Sequence, residues 1–280
     1  MSESVSLSPP VVMILAGNDP TGGAGIAADI ETLVSLGCHP APVVTALTVQ
    51  DTHNVHALWP VDPDLVLAQA RAVLADLPVA VIKIGVIGSA DNAAALHELL
   101  IAHPDLPVVL DPVLAAGGGT ALANSSLIEA IRDLLLPRTT VLTPNSLEAR
   151  RLAPEADTLE ACGMALLARG CRQVLLTGGH ESTAEVINTL YGNNRRLESW
   201  RWPRLPGEHH GSGCTLSAAI AALLAQIHYL DSEPALLSAI YQAQQYTWRS
   251  LQAGYRVGRG QLIPNRLFWA ETAADRDHHE

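Results

Sequence analysis

A run of small residues with one thiol precedes an apolar helical pattern in the C-terminal part of the chain. The run is Gly211, Ser212, Gly213 and Cys214, and it leads into the apolar residues 216–225. Small residues at a helix start leave backbone N–H groups free, at the positive end of the helix dipole. The run therefore predicts an anion site suited to a phosphoryl group, beside a thiol whose pKa the helix lowers. The alternative is a buried cysteine next to a turn that glycine permits.

An amide and a carboxylate follow a later predicted strand. Asn145 and Glu148 are three residues apart at a helix start, so they share one face. Their oxygens suit a Mg²⁺ ion that keeps much of its hydration shell. The same spacing is also that of an N-cap with a capping-box glutamate, and both interpretations stay open. Asp111 ends an earlier strand and adds a carboxylate at the same edge of the sheet.

Polar groups also follow the first two predicted strands. Residues 17–25 form a glycine-rich loop that matches neither of the two common nucleotide-binding glycine motifs. Ligands of open parallel sheets bind beyond the strand ends, where this loop lies. Asp29 and Gln50 carry polar groups into apolar surroundings, and their partners are either backbone groups or a ligand. The pair His209 and His210 lacks the further ligands that a metal site needs.

The elements that position these groups follow from hydrophobic periodicity. Strands are predicted at 11–16, 43–49, 79–84, 108–110, 140–142 and 174–176, and helices at 25–36, 64–74, 91–102, 125–135, 158–168, 214–225 and 233–251. Strands that are apolar on both faces and separated by helices imply a mostly parallel sheet covered on both sides. Segments 186–191 and 196–202 interrupt this alternation and predict a small hairpin at a sheet edge. We predict one α/β domain over residues 1–280, with flexible ends at 1–10 and 271–280.

Composition limits the classes of function. The chain has 280 residues, of which 48% are hydrophobic and 16% charged, which excludes intrinsic disorder. A net charge of −11 argues against a nucleic-acid surface, and no apolar run reaches the roughly 18 residues of a membrane helix. No signal peptide is visible, and four cysteines without a CxxC pair do not form a disulfide framework. We expect a cytoplasmic protein without nucleic-acid or membrane partners.

The order of these motifs resembles the ribokinase-like superfamily and, within it, the hydroxymethylpyrimidine/phosphomethylpyrimidine kinases of thiamine biosynthesis. The matching segments are AGNDPTGGAGIAADI at 16–30, TALTVQDT at 45–52, IKIGVIG at 82–88, DPV at 111–113, TPNSLEA at 143–149, TGGH at 177–180 and HGSGCTLSAAIAAL at 210–223. The first and last segments are the most specific. These kinases carry cysteine where most ribokinase relatives carry aspartate.

The resemblance implies a three-layer fold and ATP- and Mg²⁺-dependent phosphorylation of 4-amino-5-hydroxymethyl-2-methylpyrimidine and of its monophosphate. It implies a pyrimidine pocket lined by Gly17, Asp29, Gln50, Val86 and Val113. It also implies an ATP site with Asn145, Glu148, Thr177 and Gly179, and a Mg²⁺ ion held through water by Asp111, Asn145 and Glu148. The amides of residues 211–214 would hold the transferring phosphate, and Cys214 would be the base. We expect a homodimer.

Three positions depart from the family pattern. Gly117 and Thr177 stand where lysine is common, and Val86 stands where methionine is usual. Electrostatic clamps on a phosphoryl group are typically worth a few kcal/mol, or ~10²–10³ in rate. Two alternatives follow from the shared fold and the missing lysines. They are a pyridoxal-type kinase and a non-catalytic pyrimidine- or nucleotide-binding protein.

Overall fold

In a computed structural model, a nine-stranded mixed sheet lies between two layers of helices. The structure describes residues 8–227 and 232–270, so the predicted flexible ends fall outside the described residues for 1–7 and 271–280. The strands are β1 (Val11–Asn18), β2 (His39–Gln50), β3 (Val55–Pro60), β4 (Val79–Ile84), β5 (Val108–Leu110), β6 (Val141–Leu142), β7 (Gln173–Leu176), β8 (Glu185–Gly192) and β9 (Arg195–Pro203). The helices are α1 (Gly25–Ser35), α2 (Pro63–Asp76), α3 (Ala90–Ala102), α4 (Ser125–Ala130), α5 (Ser146–Leu152), α6 (Leu159–Ala168), α7 (Ser212–Gln226) and α8 (Glu233–Gln252).

The strand order is β3-β2-β1-β4-β5-β6-β7-β8-β9. The six strands from β2 to β7 pair in parallel, and β8 and β9 form the antiparallel edge hairpin. Asn193 and Asn194 turn this hairpin with positive φ angles of 50° and 54°, as a tight turn with the matching twist requires. The predicted mostly parallel sheet with an edge hairpin is confirmed.

Two features were not predicted from the sequence. Strand β3 pairs antiparallel with β2 at the other edge, where its terminal Pro60 is tolerated. The helix predicted over 125–135 is α-helical only to Ala130, and it continues as the π-helix Ile131–Leu135. Hydrophobic periodicity does not distinguish these helix types, because both place the same residues on the core side.

Strand β1 explains why the central strands are apolar at every position. Met13 and Leu15 face the helical layer that contains α2, α3 and α6. Val12 and Ile14 face the opposite layer, which contains α1, α7 and α8. Because all six parallel strands run the same way, their carboxyl ends and the following loops meet at one edge of the sheet. The predicted site residues therefore converge there from distant parts of the sequence.

The packing of α6 on β8 gives a test of the fold. A Cβ atom added at Gly163 would lie 2.6 Å from the ring of Tyr191, which is buried. Alanine in place of glycine normally stabilises a helix interior by about 0.5–1 kcal/mol. Here overpacking outweighs that gain, so we expect Gly163→Ala to lower the free energy of unfolding in urea by about 1–3 kcal/mol. In a Tyr191→Ala background the same change should not destabilise, and equal losses in both backgrounds would contradict this packing.

Candidate active site

Two glycine-rich loops meet at the carboxyl edge of the sheet. Gly211 precedes α7 with a φ of 78°, and a Cβ there would collide with the carbonyl of Gly23 in the loop after β1. A Cβ at Gly25 would likewise collide with the carbonyl of Gly17. Only glycine allows backbones to approach this closely. The contact places the predicted anion site directly against the loop that the sequence analysis assigned to ligand binding.

The predicted anion site is the first turn of α7. No side chain caps this helix, so none competes for the amides of Ser212, Gly213 and Cys214. A Cβ added at Gly213 would lie 3.4 Å from Oδ2 of Asp111, so that carboxylate is the nearest side chain on this face. Ser217 Oγ donates to the same oxygen at 3.4 Å. The structure therefore brings Asp111 together with the residues 211–214.

A buried ion pair lies beneath the two loops. Lys83 Nζ donates to Asp29 Oδ2 at 2.8 Å, and both side chains have no exposed surface. Burial lowers the pKa of Lys83, but the nearby Asp29, Cys214 and Asp111 raise it above the ordinary value of 10.5, so the amine stays charged. Burial acts in the opposite sense on Asp29, whose carboxyl pKa it raises against the lowering effect of Lys83. Because a 2.8 Å contact between these groups favours the charged forms of both, we treat the pair as ionic.

Cys214 differs from its sequence-based prediction. Burial raises the pKa of its thiol to about 12, and Lys83 only partly offsets this. The carboxylates of Asp111 and Asp29 also disfavour a thiolate. The prediction that the helix start lowers this pKa was wrong for the ligand-free protein, because Cys214 is 92% buried among acidic neighbours. The residues next to Cys214 in sequence do not indicate this raised pKa, because the acidic neighbours come from other parts of the chain.

The Asn145 and Glu148 pair forms the capping box. Asn145 Oδ1 accepts from the backbone N–H of Leu147 and of Glu148 at 3.0 Å, and Glu148 Oε2 accepts from the N–H of Asn145 at 2.9 Å. Glu148 Oε1 accepts from the N–H of Leu114 at 3.1 Å. Burial and the nearby Asp111 raise the pKa of Glu148, and burial also raises the pKa of Asp111. The capping interpretation holds, and the interpretation as a Mg²⁺ site stays a prediction.

The residues expected to line the pyrimidine pocket occupy three places. Gly17 and Val86 are adjacent, because a Cβ at Gly17 would lie 3.2 Å from Cβ of Val86. Asp29 has no exposed surface. Its carboxylate contacts Lys83, and this contact connects it to the other residues of the site. Val113 follows Asp111 with a φ of 33°, a strained value for a β-branched residue that costs on the order of 1–3 kcal/mol.

Gln50 leads to a contact that sequence reasoning missed. Its amide lies 2.9 Å from Nε2 of His210, and the same ring nitrogen lies 2.7 Å from Oδ2 of Asp19. One ring nitrogen cannot both donate to Asp19 and accept from the Gln50 side-chain nitrogen, so the tautomer of His210 decides which of these two hydrogen bonds forms. The hydrogen bonds of His210 and Thr21 lower the pKa of Asp19 against the raising effect of burial. The pair is 191 residues apart in sequence, and no local pattern announces it.

The expected ATP residues lie at the ends of β6 and β7. Thr177 pairs with Asn145 in an isolated parallel bridge, and its N–H donates to the carbonyl of Pro144 at 2.9 Å. The carbonyl of Gly179 accepts from Nη1 of Arg204 at 2.8 Å. Arg204 also donates to the carbonyls of residues 181 and 183, so a cation from the loop after β9 fixes this segment. Sequence reasoning missed Arg204 because it lies beyond the edge hairpin.

The segment around Gly117 packs against the loop after β2. Asn54 Nδ2 donates to the carbonyl of Gly118 at 3.2 Å, and a Cβ at Gly117 would lie 2.9 Å from Oε1 of Gln261.

Among residues 8–227 and 232–270, no group of three or more His, Cys, Asp or Glu side chains could hold a metal ion. No helix of the described chain is long and apolar enough to cross a membrane.

The raised pKa of Glu148 makes stability depend on pH. The folded state holds a proton that the unfolded state releases above pH 4.5, the ordinary glutamate pKa, so stability falls as the pH rises. We expect the free energy of unfolding in urea to fall between about pH 5 and about pH 8, and Glu148→Gln to flatten that fall. The exposed Glu129→Gln is the matched control and should keep the wild-type slope. An unchanged slope in Glu148→Gln would show that this carboxyl is ionised in the folded protein.

Known proteins resemble this chain over most of its length. Residues 19–265 match the family model described as phosphomethylpyrimidine kinase. A hydroxymethylpyrimidine/phosphomethylpyrimidine kinase of Streptomyces coelicolor is 39% identical over 261 residues, covering 91% of this chain and 93% of the relative. The enzyme of the same name from Salmonella typhimurium is 42% identical over 217 residues, covering 75% and 81%.

Solved structures give the same fold. A Bacillus subtilis pyridoxal kinase in complex with ADP has a TM-score of 0.83 and 25% identity, covering 94% of this chain and all of that one. A phosphomethylpyrimidine kinase of Clostridium difficile has a TM-score of 0.71 and 29% identity, covering 85% and 97%. The ribokinase-like fold expected from the motifs is confirmed. From its matched segment, its relatives and the loops described above, the chain belongs to the phosphomethylpyrimidine kinase family of phosphotransferases.

Proposed function

We propose that this chain transfers the γ-phosphoryl group of ATP to the hydroxymethyl group of 4-amino-5-hydroxymethyl-2-methylpyrimidine, and then to the phosphate of the product. The contact between Gly211 and Gly23 is the observation that carries this proposal. It sets free amides for a phosphoryl group against the loop that begins at Gly17, which lies beside Val86, and His210 next to Gly211 contacts the Gln50 amide. A nucleophile bound at one loop would thus face a phosphate bound at the other.

Specific residues take up the substrates in this proposal. Gly17 and Val86 pack against the pyrimidine ring, and Gln50 pairs with its polar edge. A carboxamide suits this role because it offers a donor and an acceptor side by side. His210 contacts the nitrogen of this amide and the Thr48 hydroxyl donates to its oxygen, so these two contacts fix the orientation in which Gln50 meets the ring. Thr177, Gly179 and the α5 start lie where the nucleotide would bind.

Cys214 is our proposed base, and its surroundings limit how it acts. A thiol with a pKa of about 12 is protonated at neutral pH and accepts no proton in the ligand-free protein. Lys83 favours the thiolate, whereas Asp111 opposes it. Any ligand that neutralises Asp111 therefore lowers the thiol pKa. We propose that, only once both substrates are bound, the thiol releases its proton to water, and the thiolate then takes the hydroxyl proton as oxygen attacks phosphorus and ADP leaves.

The residues at the sheet edge fit a hydrated Mg²⁺ ion. Both oxygens of Glu148 accept backbone N–H groups, so this carboxylate is suited to holding the ion through water. Asp111 raises the pKa of Glu148, and a divalent cation would relieve the repulsion between the two carboxylates. When bound, Mg²⁺ would offset charge on the ATP phosphates. Asp111, Asn145 and Glu148 would orient its water shell.

Several coarser proposals accompany this function. We propose that the chain acts in the cytoplasm as one domain and assembles as a homodimer, with small-molecule substrates as its ligands. The similarity to a pyridoxal kinase makes pyridoxal the competing substrate. The absence of lysine at Gly117 and Thr177 leads us to expect slow turnover, above all in the second phosphorylation.

Coupled ADP release distinguishes these substrates. The purified chain is assayed with hydroxymethylpyrimidine, its monophosphate and pyridoxal in separate reactions, each with ATP and Mg²⁺. We expect kcat/KM for hydroxymethylpyrimidine to exceed that for pyridoxal by at least about tenfold, which corresponds to 1.4 kcal/mol of transition-state binding. A preference for pyridoxal would support the competing activity. No ADP release with any of the three would overturn the proposed function.

Replacing Cys214 tests the base. A positioned base typically contributes ~10²–10⁴-fold, while phosphoryl transfer depends mostly on positioning and charge. We therefore expect Cys214→Ala to lower kcat at least about tenfold with ATP affinity and folding retained. Cys214→Asp should recover part of the rate, because a carboxylate accepts a proton in the same place. Cys162→Ala, a fully buried cysteine in α6, is the matched control. Wild-type kcat in Cys214→Ala would make the cysteine a packing residue and Asp111 the next candidate.

A further inference from the structure

Arg266 is a fully buried cation behind the first turn of α7. It is 1% exposed, and three groups from separate parts of the chain surround its guanidinium. Nε donates to Thr215 Oγ1 at 3.0 Å, Nη2 donates to the carbonyl of Gly23 at 2.6 Å, and Nη1 donates to Glu31 Oε2 at 2.9 Å. One side chain thus joins α7, the glycine-rich loop and α1. No local pattern indicates this role, because Arg266 follows the last predicted helix.

The backbone of Arg266 is held as firmly as its side chain. Its carbonyl accepts from Ser35 Oγ at 2.8 Å and from the hydroxyl of Tyr246 at 2.7 Å. The preceding Asn265 donates its N–H to the carbonyl of Ser250 at 2.9 Å. Five polar contacts to Arg266 itself therefore fix where the guanidinium lies. A cation held this rigidly acts as a fixed charge, since arginine does not lose its proton in proteins.

The guanidinium lies next to the proposed anion site. A Cβ added at Gly211 would be 2.9 Å from Nη2 of Arg266, so the cation is directly behind the residue that precedes the free amides. Thr215 Oγ1, which receives Nε, donates to the carbonyl of Gly211 at 2.8 Å. The charge of Arg266 also lowers the pKa of Asp29, although burial and Lys83 change that pKa more strongly. Among the described residues, Glu31 is the only carboxylate bonded to the guanidinium, and it is 44% exposed, so water weakens its compensating charge.

We propose that Arg266 is a positioning residue for phosphoryl transfer, with two effects. Its bonds to Gly23 and Thr215 hold the two glycine loops in register, and its charge, which the half-exposed Glu31 compensates only in part, strengthens the anion site at residues 211–214. The inference rests on the proposed function for its substrate, but the charge effect concerns any polyphosphate bound at this site. A purely structural arginine would depend on its ion pair with Glu31. An arginine that supplies positive charge to the anion site is instead weakened by Glu31, because the negative charge of Glu31 offsets it.

Glu31→Gln separates these roles by the sign of its effect. It removes the compensating charge and leaves the arginine in place, on a half-exposed side chain whose loss the fold tolerates. We expect affinity for AMP-PCP, measured by calorimetry with Mg²⁺, to increase about two- to fivefold even though unfolding in urea becomes easier. The matched control is Glu233→Gln, which breaks the ion pair with Arg195 and changes the net charge equally. Arg195 follows the β8–β9 turn, at the edge where β7 begins, so this control should leave affinity unchanged.

Variants of Arg266 complete the test. Arg266→Gln should weaken AMP-PCP binding or lower kcat at least about tenfold, and Arg266→Lys should restore part of the loss because the charge remains. If Arg266→Gln does not fold, Glu31→Gln alone decides. Unchanged or weaker AMP-PCP binding in Glu31→Gln would overturn the charge effect. Because this binding needs no pyrimidine, the result is independent of whether the wild-type protein phosphorylates hydroxymethylpyrimidine.

Discussion

The close approach of two backbones, at Gly211 and Gly23, is the constraint on which the rest of the site depends. The carbonyl of Gly23 occupies the place that a Cβ of residue 211 would need, so any side chain there would separate the loops. Two hydrogen bonds hold the loops together, one between the His210 ring and Asp19 and one from Arg266 to the Gly23 carbonyl. Each loop supplies half of the proposed chemistry, one for the pyrimidine and one for the phosphate. Their separation is therefore set by van der Waals contact between main chains, which is stiffer than any side-chain contact.

Two buried cationic side chains lie beneath these loops. The only lysine of the chain is fully buried against Asp29, and Arg266 is buried nearby with a half-exposed partner. Desolvating such groups opposes folding unless they are paired and hydrogen-bonded. Lys83 and Arg266 each have a carboxylate oxygen within 3 Å. Both cations lie close to the positive end of α7. A site built to receive an anionic phosphoryl group stores positive potential in advance, so that little reorganisation is needed when the ligand arrives.

Some residues serve structure and function in the same geometry. Asn145 and Glu148 cap α5, which satisfies backbone donors that the helix leaves unpaired. The same capping fixes the Glu148 carboxylate near Asp111, which raises the pKa of Glu148. Capping and the proposed ion binding are therefore compatible interpretations of this spacing. In our proposal the cap supplies the rigidity that a weakly held, hydrated cation requires.

The sequence by itself determined the parallel strands and the edge hairpin of the sheet, and it placed most candidate site residues at strand ends and helix starts. Alternating apolar and helical segments predicted six parallel strands and the edge hairpin, because a strand covered on both faces must be apolar throughout. It also predicted Cys214, Asp111 and Gln50 as site residues, since strand ends and helix starts are marked by local residue types. Only the tertiary structure decided what surrounds them. The raised pKa of Cys214, the Asp19–His210 pair and the charge of Arg266 behind Gly211 all depend on residues far apart in sequence. Burial and Coulomb interactions act through space, and their strength depends on distances that no local pattern encodes.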